Sequence, residues 1–156
     1  MKARGWASRM PGVIGALAFT LVALVGCAIE SPGEPALTAS QARTQFYSTL
    51  DETQDAAGGT WVDYDDPTPR SCVVPLWIEG RQYPGLRIAG SPADPAAAAN
   101  AVYTTWRSWG YEVDRSRIGT VIQLQVHFPS DQLLTFRVSS LSMTLQGSSE
   151  CRPLGE

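Results

Sequence analysis

The last third of the chain places the tightest constraint on its fold. Ile122, Leu124, Val126 and Phe128 alternate with Gln123, Gln125 and His127, and Leu134, Phe136 and Val138 alternate with Thr135, Arg137 and Ser139. Successive side chains of an extended chain point to opposite faces, so a period of two gathers the apolar set on one face and the polar set on the other. Parallel strands, covered on both faces, read instead as unbroken apolar runs; alternation marks an antiparallel sheet with one wet face. After Val138 the parity flips, and Leu141, Met143 and Leu145 take the inward places against Ser142, Thr144 and Gln146. A two-residue turn at Ser139-Ser140 produces this flip, pairing Val138 with Leu141, Phe136 with Met143 and Leu134 with Leu145. A β-bulge inside one long strand produces it too, and no Asn-Gly or Gly chooses between the two.

Two stretches carry the helical period. Thr38 and Gln41 have capping-box spacing ahead of Ala42, Phe46, Leu50 and Thr53, which predicts a helix over 39–56 with Asp51, Glu52 and Asp55 outward and Gly58-Gly59 as its stop. A second helix follows Ser91 as cap, with Pro92 and Pro95 in its first turn and Asp94 at the positive end of its dipole. Ala98, Val102, Trp106 and Trp109 form its apolar stripe, and Gly110 ends it. Short strands are expected at Trp61–Tyr64, Cys72–Ile78 and Leu86–Ala89, the last two joined by a loop through Gly80, Tyr83, Pro84 and Gly85. The predicted class is α+β: an antiparallel sheet of about 5–6 strands with two helices packed on one face.

The N-terminus reads as an export signal. Lys2, Arg4 and Arg9 fall in the first ten residues without an acidic partner, and Val13–Val25 carries no charge. Thirteen residues are too few to span a bilayer, which takes about 20. The run closes in Leu24-Val25-Gly26-Cys27, which resembles the lipobox that directs thioether acylation of Cys and cleavage before it. Three segments are expected: residues 1–26 as lipoprotein signal peptide, 27–39 as lipidated Cys27 with a tether rich in Pro and Glu, and 40–156 as a single domain. Two or more acyl chains such as palmitate hold a protein stably on a membrane, and the ten residues after Cys27 reach roughly 30 Å when extended. The expected location is the extracytoplasmic side of the cell membrane.

Loss of the signal leaves nine arginines and no lysine against fifteen acidic residues, a net charge of −6. That balance, without a basic cluster, argues against a nucleic-acid partner and against direct adhesion to anionic lipid. With Cys27 acylated, Cys72 and Cys151 remain, and in an oxidising compartment such a pair forms a disulfide.

Candidate sites are few. Asp63, Asp65 and Asp66 are close in sequence, but the glycine turn and distal glutamate of a calcium loop are missing, and Asp66-Pro67 suits a turn. No nucleophile elbow, Walker loop or zinc spacing occurs, and the lone His127 has no triad partner by spacing, so neither an enzyme nor a metal or other cofactor is expected. Large aromatics are abundant for one domain. Trp61, Tyr103, Trp106 and Trp109 are candidates for a ligand groove, although helix–sheet packing is the commoner use of such residues.

Longer pieces of the chain carry a resemblance. Asp51-Glu52-Thr53-Gln54, Gly58-Gly59-Thr60-Trp61, the run from Asp65 to Cys72, Tyr83-Pro84-Gly85-Leu86, and the ending from Met143 to Gly147 and from Glu150 to Pro153 resemble the LppA-like lipoproteins of mycobacteria and related actinobacteria. The resemblance spans nearly all of the chain after Cys27. It implies an envelope lipoprotein with an α+β domain and brings no catalytic residues. The expectation is therefore a non-catalytic binding or interaction module, held on the membrane by Cys27 and meeting an envelope protein, glycan or lipid. The second expectation is a carrier of a small apolar ligand between helices and sheet, which calls for an enclosed cavity above about 300 Å³.

Overall fold

The capping box forms as the spacing requires. In the computed structural model, which describes residues 37–128 and 132–154, the Thr38 hydroxyl accepts from the Gln41 N–H at 3.2 Å and the Gln41 side chain accepts from the Thr38 N–H at 2.8 Å. The expected signal segment, Cys27 and the expected tether as far as residue 36 lie outside the described residues. Helix α1 (Ala39–Ala57) buries Ala42, Leu50 and Thr53 and half-buries Phe46, and it stops at Gly58, whose φ of 70° favours a residue without Cβ.

Strand β1 (Trp61–Asp63) is followed by β2 (Arg70–Val74), a 3-10 turn (Pro75–Trp77), β3 (Ile78–Gln82) and β4 (Pro84–Ala89). After helix α2 (Pro95–Ser108) come β5 (Asp114–Ile118), β6 (Val121–His127), β7 (Leu133–Val138), β8 (Met143–Ser148) and the two-residue β9 (Arg152–Pro153). Six strands form the main antiparallel sheet in the order β1-β4-β8-β7-β6-β5, and β2-β3-β9 form a small second sheet. This is the α+β class expected. Buried residues of α1 and α2 join Ile122, Leu124, Val126, Leu134, Phe136, Val138, Met143 and Leu145 in one core.

Several local readings need correction. Asp94, not Ser91, caps α2, accepting from the Ala96 and Ala97 N–H groups at 2.8 and 3.0 Å. Pro95 forces the residue before it into extended backbone, which is the conformation a cap needs. Ser91 instead donates to the Ser140 carbonyl at 2.7 Å, tying the α2 entry to the β7–β8 connection. That connection is neither a two-residue turn nor a bulge. Val138 pairs with Met143 and Phe136 with Leu145, so Ser139–Ser142 make a four-residue loop and Leu141 stands 82% exposed at its tip. The Ser139 hydroxyl accepts from the N–H groups of Leu141 and Ser142, closing the loop without glycine.

The expected Cys72–Ile78 strand breaks at Pro75, which has no N–H for a ladder, and the chain reverses there so that Val74 pairs with Ile78. The expected loop through Gly80 is strand instead. A Cβ at Gly80 would meet the Arg152 carbonyl oxygen at 2.6 Å and the Cys151 sulfur at 2.7 Å, so only glycine lets β9 dock there. Cys72 and Cys151 are disulfide-bonded, with Cα atoms 6.0 Å apart. Strand β5 is an addition. It is exposed throughout and has no apolar alternation, and its Arg115 and Arg117 suit a sheet edge protected by charge.

Candidate functional site

The most concentrated chemistry in the molecule surrounds Arg87. In the sheet register Arg87 is opposite Leu145, which is opposite Phe136, which is opposite Leu124, so the arginine occupies a core-facing row. It is 3% exposed. An isolated buried charge is very costly, so partners must be close. They come from three elements. Asp65, in the segment after β1, takes a fork from Nε at 3.0 and 3.1 Å and from Nη2 at 2.6 Å. From α1, Asp51 and Gln54 accept from Nη1 at 2.7 and 3.0 Å, and Asp63 at the end of β1 lies 3.2 Å away. Gln54 in turn donates to Asp63 at 3.0 Å. Burial alone pulls the Arg87 pKa down, but the hydrogen bonds it donates to Asp65 and Asp51 outweigh it and hold the group above its ordinary value.

Beside this cluster the Tyr47 hydroxyl donates to the carbonyls of Asp66 and Pro84 at 3.3 and 3.2 Å. Burial, reinforced by the Asp65 carboxylate, raises its pKa. Gly85 allows α1 to lie close, since a Cβ there would stand 2.5 Å from Leu50 Cδ1 and 2.9 Å from Phe46 Cε1. Chemically the cluster is a cross-link. The guanidinium is taken up by protein acceptors, and the carboxylates around it repel an incoming anion.

The three aspartates singled out in the sequence do not converge on one point. Asp63 and Asp65 turn to Arg87, while Asp66 accepts from the Thr68 N–H at 2.9 Å and opens the turn its proline suggests. That N–H holds the Asp66 carboxyl below the usual range. His127 lies exposed at the end of β6.

The four candidate aromatics also separate. Trp106 is fully buried in the core and donates its indole N–H to Thr53 at 2.9 Å. Trp61 packs against Phe136 with ring centroids 6.5 Å apart and donates to the Gly58 carbonyl. Tyr103 is half-buried against the core. Trp109 stacks edge-on against Tyr111, and both line an open trough of about 600 Å³ along the polar outer side of α1. A smaller cleft of about 350 Å³ opens between α1 and the sheet, lined by Phe46, Tyr111, Phe128 and Leu134, with Gln45 and Glu150 among its polar groups.

No family model matches the chain, and no curated protein matches it. Among solved structures it is similar to a DUF4853 family protein from Actinomyces odontolyticus, with a TM-score of 0.57 and 14% identity over 79% of this chain and 72% of that one. At that identity the likeness is one of fold.

Proposed function

We propose that this chain is an envelope lipoprotein anchored through an acylated Cys27, and that its α+β domain is a non-catalytic interaction module. One observation carries the reading. Of three cysteines, Cys72 and Cys151 bond to each other, and the remaining one, Cys27, is the one that closes a charged n-region and an apolar h-region at a lipobox. The resemblance to LppA-like lipoproteins points the same way. A non-catalytic role agrees with the main charged cluster, where Asp51, Asp63 and Asp65 are bound to Arg87 rather than set across a water-filled gap.

The test is Cys27→Ala in the full chain, followed by membrane fractionation and mass spectrometry. The wild type should partition with membranes at mature mass plus acyl chains, and the variant should be released or remain an unprocessed precursor. Unchanged membrane partition of the variant at mature size would sink the proposal.

A carrier role is the second reading; the cleft of about 350 Å³ between α1 and the sheet has the size it calls for but is open rather than enclosed. Its aromatics are Phe46, Tyr111 and Phe128, not those named from sequence. Co-purified lipid or another apolar ligand, seen in the same mass spectra, would support this reading.

A further inference from the structure

The β2–β3 hairpin ends in an apolar point that folding does not explain. Leu76 is 87% exposed and Trp77 91%, with Val73 and Ile78 about half exposed behind them. Both tip residues have positive φ, 71° for Leu76 and 61° for Trp77. Positive φ favours glycine or asparagine, because bulky side chains are strained there. Here the two positions carry large apolar groups that bury almost nothing. Neither local conformation nor packing selects them.

We propose that this tip is a membrane wedge: Leu76 and Trp77 enter the interfacial layer of the bilayer that carries the lipid on Cys27. The inference rests on the lipoprotein reading above. Three features of the domain select a bilayer over a protein partner. Thr38, Ala39 and Ser40, where the tether joins α1, share a recess with Arg81, Pro153 and Leu154, at the base of this same hairpin. From that root the ten residues back to Cys27 span at most roughly 30 Å, so the anchor keeps the tip within reach of the membrane. Arg81 on β3 and Arg70 on β2 are exposed, three and four rungs behind the Val74–Ile78 pair that closes the tip. At about 3.3 Å per residue they stand roughly 10–13 Å behind that pair, on the water side of an entering tip. Glu79, exposed between them and the tip, limits the depth of entry. The tip is also a narrow convex point, whereas a stable protein interface takes about 800 Å² from each partner.

The test uses the acylated full-length product in vesicles of phosphatidylcholine and phosphatidylglycerol whose acyl chains are brominated. Bromine quenches tryptophan at the interface, and four tryptophans remain once Trp6 has left. Wild-type emission should fall by up to about a quarter on vesicles, the share of one interfacial tryptophan. Trp77→Phe should lose that quenching while remaining vesicle-bound and folded. Leu76→Asn/Trp77→Gly should also lose it while gaining thermal stability, because these residues suit the positive φ values. Equal quenching in Trp77→Phe, no quenching of bound wild type, or a lower Tm in the Asn-Gly variant would overturn the wedge. Protein that fails to float with vesicles at all would instead overturn the lipoprotein reading, and the wedge with it.

Discussion

Truncating Arg87 to Ala leaves Asp65 half-enclosed with no counter-charge, and it opens a void in the row that holds Leu145 and Phe136. Breaking a buried pair from one side costs about 3–5 kcal/mol, and that loss is expected in urea unfolding of Arg87→Ala. Asp51→Ala should cost far less, because that carboxylate is 62% exposed and screened by water. Comparable losses for the two variants would show that the fork onto Asp65 is not the main tie. Tyr47→Phe removes two long hydrogen bonds and should cost about 0.5–1.5 kcal/mol at neutral pH. Because the folded state raises the Tyr47 pKa above 10.0, it retains the proton longer than the unfolded chain does. Its contribution is therefore complete below pH 10.0 and is lost as pH rises through the folded value. Tyr111 has the same sign, so Tyr47→Phe should flatten only part of the alkaline decline in stability. An unchanged decline would remove Tyr47 from this account. None of this was legible in Leu86–Ala89. There the alternation alone gives Leu86 and Ile88 the inward parity, and the register with β8 reverses it.

Helix α2 was legible as an element because its apolar residues recur at helical spacing and a proline and a glycine bound it. Trp106 shows what that pattern omits. The stripe places it inward, but the indole partner comes from Thr53 on α1, far away in sequence. Trp106→Ala should cost about 3–5 kcal/mol, and a loss of only a few tenths would contradict its place in the core. The small sheet departs from its sequence pattern for the converse reason. Gly80 resembles loop punctuation, yet it is a strand position crossed closely by Arg152 and Cys151. Gly80→Ala should displace β9, seen as faster hydrogen exchange at the Leu154 N–H that donates to the Glu79 carbonyl at 3.1 Å. Unchanged protection at Leu154 would show that the approach can relax.

For the molecule as a whole, the disulfide joins the small sheet to the end of the chain across 79 residues of sequence. The chain-entropy account gives a closure of that length about 4 kcal/mol, acting largely on the unfolded state. Reduction should therefore lower the urea midpoint while leaving the main sheet folded in buffer. A midpoint unchanged by reduction would mean that the unfolded chain is already compact near the two cysteines.

Period and punctuation settle the types of α1, α2, β6 and β7 because they are local. Alternation in β6 and β7, the capping box of α1, and the closing glycines all act within a few residues of the positions that carry them. The cysteine pairing was also legible, since setting Cys27 aside as the expected lipidation site leaves only Cys72 and Cys151 to pair, as they do. Pairing register, the inward turn of Arg87, the separation of the four aromatics and the exposed Leu76–Trp77 tip were not legible. Each depends on which strand or helix lies opposite, and a contact between residues dozens of positions apart leaves no periodic trace at either end.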